Sequence, residues 1–186
     1  METGGFNMAL GSDFWEALLS GKRYAQKELY DRFSGKMYAL CLRYAGNQPL
    51  AEDMLQEGFI KVFNNLSQFK GEGSFEGWMR RIFVNTAIEM LRRRSLKQRP
   101  IENGDLDIPQ SSLTSGYDKV SLADLLAVIQ QLPEGYRTIF NLYVLEGYSH
   151  KEIAQLLHIS EGTSKSQLAR AKQLLQKYFV LKGITV

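Results

Sequence analysis

The sequence predicts an all-α protein: two small helical domains joined by an acidic flexible linker, the C-terminal domain carrying a helix-turn-helix. Three observations predict it. Apolar residues recur at spacings of three and four through most of the chain, and glycine or proline interrupts each run. Residues 100–118 abandon that periodicity for Pro100, Gly104, Pro109, several serines and four acids (Glu102, Asp105, Asp107, Asp118), with no Lys or Arg. The stretch Ser149 to Leu175 reads as two short amphipathic helices joined by a tight connection.

At 186 residues the chain suits one or two domains, each able to bury a modest core. Hydrophobic content of 44% and charged content of 23% are those of an ordinary globular protein. A net charge of +3 is small, so any nucleic-acid surface has to come from clustered cations. The single Cys41 excludes an intramolecular disulfide and a cysteine zinc site, agrees with a reducing compartment, and lies in an apolar run where a buried structural thiol is expected. No stretch reaches the roughly eighteen apolar residues of a membrane span, and the N-terminus lacks a secretion signal. The expected location is the cytoplasm, without direct membrane insertion.

Residues 1–12 are glycine-rich and aperiodic, a lead-in expected to be disordered. A short helix follows, with Ser12 or Asp13 as cap and Gly21 as its end. Leu29, Phe33, Met37, Leu40 and Tyr44 then predict a long helix from Arg23 to Ala45, stopped by Gly46-Asn47-Gln48-Pro49. Pro49 is suited to open the next helix, because its missing N–H costs nothing there. That helix, from about Leu50 to Leu66, places Leu55, Phe59, Val62, Phe63 and Leu66 on one stripe. Glu52, Asp53, Gln56 and Glu57 lie off it, on an acidic side that is either a solvated face or a docking face for a basic helix.

Ser67 to Ser74 is a loop with two glycines and one aromatic, and a helix then runs from Phe75 and Trp78 through Leu91 into Arg92-Arg93-Arg94. Residues 76–99 hold seven Lys or Arg (80, 81, 92, 93, 94, 97, 99) against two acids (76, 89). Cations beside Phe69, Phe75 and Trp78 suit single-stranded nucleic acid, where bases stack and phosphates need counter-charge. Trp78, at helical spacing from Ile82, is expected in the core, and Phe69 on the loop is the aromatic expected to be exposed.

Residues 13–99 thus form the first domain, 100–118 the linker and 119–186 the second domain. The second opens with Leu122, Leu125, Leu126 and Ile129 on a helix, breaks at Leu132-Pro133-Glu134-Gly135, and resumes from Tyr136 to Leu145. Gly147 ends that helix and Ser149 caps the next. Ile153, Ala154 and Leu157 share a face of the first helix of the pair, and Ser160 offers a cap before the second. Leu168, Ala171 and Leu175 form the second helix's apolar seam, leaving Thr163, Ser166, Gln167, Arg170 and Gln173 to meet base edges or phosphates. A plain helical hairpin with a solvated polar face is the competing reading. The two histidines and scattered acids have no metal-site or catalytic-triad spacing, and His158 reads as a local helix cap, so neither an enzyme nor a cofactor is expected.

Four motifs in order resemble the bacterial extracytoplasmic-function sigma factors of the sigma-70 family, over residues 12 to 182. They are Ala51-Glu-Asp-Met-Leu-Gln-Glu-Gly-Phe59; Phe69-Lys-Gly-Glu-Gly-Ser-Phe75 with Trp78, Ile82, Asn85 and Leu91-Arg-Arg-Arg94; Leu132-Pro-Glu-Gly-Tyr-Arg137; and Glu161-Gly-Thr-Ser-Lys-Ser166 with Arg170-Ala-Lys172. The resemblance implies a dissociable subunit that directs bacterial core RNA polymerase to promoter DNA, with an anti-sigma factor as a further partner. It implies that Asp53, Gln56 and Glu57 dock on polymerase. Phe69, Lys70, Gly71, Glu72 and Ser74 would line a pocket for a displaced base of the minus-10 element, with Asn85, Arg92 and Arg93 near the DNA strands. Thr163, Lys165, Ser166, Gln167 and Arg170 would face the minus-35 element, and the acidic linker would follow the RNA path.

One residue departs from the family pattern: Ser164 stands where an apolar valine is usual, and its hydroxyl is able to bond back to the carbonyl of Ser160. With the chain closing at Val186, no appended regulatory domain is expected. The rival functions are a stand-alone helix-turn-helix regulator, a single-strand nucleic-acid-binding module centred on residues 67–99, and a helical adaptor that binds no nucleic acid.

Overall fold

Each helix begins and ends where local chemistry supplies a start or a stop. In the computed structural model, which describes residues 11–97 and 122–181, every regular element is helical. The expected linker, residues 100–118, and most of the lead-in lie outside the described residues. Chain proximity divides the molecule into two units, with the division between Met90 and Leu91 falling inside the helix Phe75–Lys97, which is described with the first.

In the first unit α1 spans Ser12–Leu19, α2 Arg23–Ala45, α3 Gln48–Asn64 and α4 Phe75–Lys97, with a 3-10 turn at Leu66–Gln68. The expected cap of α1 is corrected: Gly11 occupies the cap position without a side-chain bond, and the Ser12 hydroxyl instead meets the Asp13 carboxylate at 3.1 Å. Between α2 and α3, Gly46 takes a left-handed conformation (φ 75°) and the Asn47 side chain accepts from the Leu50 N–H at 3.0 Å. That cap starts α3 two residues before Leu50, with Pro49 in its first turn.

Leu29, Phe33, Met37, Leu40 and Tyr44 of α2 are buried, as are Met54, Leu55, Phe59 and Val62 of α3. α4 contributes Phe75, Met79, Phe83, Val84, Ala87 and Leu91 to the buried set. Gly58 shows why this packing is close. A Cβ there would lie 2.2 Å from the ring of Phe83, so only glycine lets α3 and α4 approach this closely. Lys61 adds a polar tie, its Nζ donating to the Glu89 carboxylate of α4 at 2.6 Å.

In the second unit α5 spans Leu122–Gln131, α6 Glu134–Phe140, α7 His150–Leu157 and α8 Glu161–Leu181. The helix expected from Tyr136 to Leu145 starts at Glu134 and widens into a π-helical segment at Asn141–Leu145. Its start is set by Pro133 in the cap position. Arg137, buried one turn later, donates to the carbonyls of Gln130 at 2.9 Å and Leu132 at 3.0 Å, joining the end of α5 to α6. Burial lowers the pKa of this guanidinium from its ordinary value, and the nearby Glu134 carboxylate acts in the opposite sense.

Ser149 closes a full capping box: its hydroxyl accepts from the Glu152 N–H, while Glu152 Oε2 accepts from the Ser149 N–H at 2.8 Å. His158 ends α7 in a left-handed conformation (φ 56°), the local cap role expected of it. Val128, Leu132, Ala171, Leu175 and Tyr178 form the centre of the second core, with Tyr136 and Phe140 packed against it.

Candidate nucleic-acid and polymerase interfaces

The acidic side of α3 is an outward face. Glu52, Asp53 and Gln56 are exposed, and Gln48 donates to Glu52 at 2.8 Å. Glu57 is only half-exposed and lies 3.9 Å from Lys61, which is already held by Glu89. Asp53 and Gln56 are therefore offered more openly than Glu57. Ile60, one turn beyond Gln56 on the same face, is 54% exposed and escaped the sequence reading. The signal was available, since Ile60 is a large apolar residue off the α3 stripe.

Phe69 corrects an expectation. It is half-buried in an aromatic cluster, with ring centroids 5.9 Å from Trp15, 5.3 Å from Phe75 and 5.6 Å from Trp78. Edge-to-face and tilted ring pairs of this kind stabilise each other beyond their simple burial, which draws the loop aromatic inward. Trp78, expected in the core, is also half-buried and stacks on Phe75 at 5.3 Å. Lys70, Glu72 and Ser74 remain exposed around it, with Gly71 (φ 78°) and Gly73 (φ 76°) both left-handed. Ser74 has a structural task as well, because its Oγ accepts from the Gly77 N–H at 3.0 Å and so caps α4.

Asn85, Arg92 and Arg93 are exposed on α4. At 1.5 Å of rise per residue, Arg92 lies roughly 25 Å along the helix from Phe75. Of the residues expected at the minus-10 element, those at 69–74 lie on the loop before α4, and Asn85, Arg92 and Arg93 run along α4 itself. Arg81, exposed and four residues before Asn85, extends the same stripe and was missing from the expected site.

On α8 fewer of the expected residues are exposed than helical periodicity suggests. Lys165, Ser166 and Arg170 are exposed, and Ser166, Arg170 and Gln173 follow one another at i, i+4 and i+7. Ser166 keeps its hydroxyl on the Thr163 carbonyl at 3.0 Å. Thr163 is half-buried, with its hydroxyl 2.9 Å from that of Ser160, and Ser160 Oγ caps α8 by accepting from the Thr163 N–H at 3.0 Å. Gln167 turns toward α6, where its Oε1 would stand 3.3 Å from a Cβ on Gly135. Ser166 and Arg170 therefore share one exposed stripe of α8, Lys165 is exposed roughly 100° around the helix from Ser166, and Thr163 and Gln167 are half-buried.

Ser164 is fully buried on the seam that continues through Leu168 and Ala171. The Ser160 carbonyl accepts the backbone N–H of Ser164 at 3.0 Å, and the hydroxyl partner is His150, whose Nδ1 lies 2.9 Å from Oγ. The back-bond expected from sequence is replaced by this bond between helices. Among the described residues no His, Cys, Asp or Glu cluster could hold a metal ion, and no helix is long and apolar enough to cross a membrane.

Comparison with known proteins places both units. Residues 29–96 match the family model of sigma-70 region 2, and residues 122–175 match that of sigma-70 region 4. The chain is 35% identical over 166 residues to the ECF RNA polymerase sigma factor SigE of Mycolicibacterium smegmatis, covering 81% of this chain and 60% of that protein. It is 31% identical over 172 residues to SigW of Bacillus subtilis, covering 84% of this chain and 90% of that protein. Among solved structures, the sigma factor RpoE of Bartonella quintana, determined with its anti-sigma factor NepR, aligns with a TM-score of 0.51 at 20% identity, over 81% of this chain and 94% of that one. That last likeness is one of fold. Two helical units with the region 2 and region 4 patterns in order, and a 31% identical relative, SigW, matched over nine-tenths of its length, make this chain a member of the extracytoplasmic-function RNA polymerase sigma factors of the sigma-70 family.

Proposed function

We propose that the protein works as a dissociable, non-catalytic subunit of RNA polymerase, with its three exposed faces sharing the work. Asp53 and Gln56, with Ile60 beside them, dock on core polymerase. The loop at 69–74 and the α4 stripe of Arg81, Asn85, Arg92 and Arg93 hold the melted minus-10 strand. Lys165, Ser166 and Arg170 read the minus-35 duplex. The observation that carries this reading is the opposite chemistry of two outward helix faces in the region 2 unit, acidic on α3 and basic on α4.

The physical division is coherent. Short polar and basic side chains on a rigid helix fit an intact major groove, whereas a stripe of cations beside an aromatic loop fits single strands. Separating a base-pair step costs about 1.4 kcal/mol of stacking, and capture of an unstacked base offsets part of it. Phe69 then serves the site from within the aromatic cluster, by holding the loop in which Lys70, Glu72 and Ser74 are exposed. Family membership also supports an anti-sigma partner and a cytoplasmic location.

Run-off transcription with purified core enzyme on candidate upstream DNA tests the reading. The protein should co-purify with core and direct initiation, and failure of both sinks it. In that assay Arg170→Ala should lower use of promoters that depend on the upstream element by about tenfold, the discrimination of one good base contact. Unchanged selectivity would remove Arg170 from the reading face. A free protein that binds a duplex operator tightly without core would favour a stand-alone regulator.

A further inference from the structure

We propose that His150 is a positioning residue for the recognition helix α8, acting through Ser164, and that this pair sets how sharply the upstream element is read. The inference rests on the function proposed above. Ser164 is an anomaly of the second unit: a hydroxyl residue with none of its surface exposed, on the seam that otherwise runs through Leu168 and Ala171. A hydroxyl so placed needs a partner. The one it has comes from α7, where His150 Nδ1 lies 2.9 Å away.

His150 is itself held from the other side. Its ring stacks on Tyr143 of the π-helical segment, with centroids 4.4 Å apart and planes 22° from parallel. Tyr143, His150 and Ser164 thus form a relay from the π segment through the first residue of α7 to the first turns of α8. Local backbone cannot do the same work, because a serine bonded only to its own helix ties that helix to nothing.

The consequence for reading follows from adjacency. Lys165 and Ser166 come next after Ser164 and are exposed, so the rotation of α8 about its axis, fixed at Ser164, decides where they point. Base readout requires hydrogen bonds of about 3 Å, so a small rotation at the seam removes discrimination before it removes binding. His150 touches no DNA in this scheme. It positions the residues that do.

The test uses the full chain reconstituted with core polymerase on a pool of promoters randomised across the upstream element, with transcripts sequenced. His150→Phe keeps a ring on Tyr143 and leaves the Ser164 hydroxyl buried without its partner; the preference for the best over the mismatched element should fall about tenfold. Ser164→Ala removes the hydroxyl itself and should cost about threefold. Their combination, with both polar partners gone, should be no worse than Ser164→Ala alone, because removal of both partners is far less costly than orphaning one. His150→Asn, which can still bond Ser164, should retain most of the preference. Initiation on a pre-melted bubble template, which bypasses upstream reading, should be equal for all variants.

Should His150→Phe lose helicity, the double variant is expected to regain both helicity and preference. Losses that multiply in the double variant, or single variants indistinguishable from wild type in preference, overturn the proposal. A wild-type chain that never directs initiation with core would instead overturn the sigma reading itself.

Discussion

The two units solve the same problem, holding helices in fixed relation, by different means. In the first, the work is done by shape: Gly58 admits the ring of Phe83, and Phe59 in turn lies 5.3 Å from that ring and 4.7 Å from Tyr30. In the second, buried polar groups do it. Of the five buried polar or charged residues among those described, Arg137, Thr138, Asn141 and Ser164 belong to the second unit and only Thr86 to the first. The difference teaches how length limits a fold. Short helices such as the seven-residue α6 and eight-residue α7 carry few apolar side chains each, so directional bonds must specify what packing alone leaves loose.

Three substitutions would break or sharpen this contrast. The largest effect is expected for Arg137→Met, which keeps the apolar stem and removes the donors to Gln130 and Leu132. Hydrogen bonds from a buried charged group typically contribute about 1.5–3 kcal/mol, so a loss of about 3 kcal/mol in urea unfolding is expected, with amide exchange rising first in α5 and α6. A loss under about 0.5 kcal/mol would mean that the second unit does not depend on its polar ties.

Gly58→Ala should cost somewhat less. Alanine gains about 1 kcal/mol of helix propensity over glycine, yet a Cβ 2.2 Å from a buried ring forces a shift whose penalty is commonly about 1–3 kcal/mol. A net loss of up to about 2 kcal/mol is expected, read as weaker amide protection in α3 and α4. If Gly58→Ala stabilised the protein instead, close packing would not be what holds the first unit.

The smallest effect is a pH slope. Burial pushes the Cys41 thiol up to about 12, against an unfolded value of about 8.5. With the folded pKa raised, the contribution to stability is whole below about pH 8.5 and is lost as pH rises toward 12, because only the unfolded chain releases the proton in that window. Its steepness is at most about 1.4 kcal/mol per pH unit. Stability measured from pH 8 to 10 should therefore fall less steeply for Cys41→Ala than for wild type, and equal slopes would show that the thiol is not protected by the core.

Much of the fold was legible in the sequence. The span of α2, the stop at Gly46, Pro49 in the first turn of α3, the Ser149 cap and the Ser160 cap all rest on interactions within about four residues. Errors of start, as at Ser12 and Leu50, came from a neighbouring residue, Gly11 or Asn47, taking the cap position. The candidate site was less legible. Phe69 looked exposed because its loop is glycine-rich, yet Phe75, Trp78 and Trp15, the last more than fifty residues earlier, cover part of it. Gln167 fell on the expected face by helical angle, but α6 lies alongside it at Gly135.

By itself, then, the sequence determined the helices, their order, the charges on α3, α4 and α8, and the family that those motifs resemble. Tertiary structure alone decided why Gly58 must lack a side chain, how Arg137 joins α5 to α6, and why a serine is tolerated at 164. The physical reason is range. Periodicity and capping are settled between residues a turn apart, whereas the partners of Gly58 and Ser164 lie 25 and 14 residues away, at distances that only folding brings down to contact.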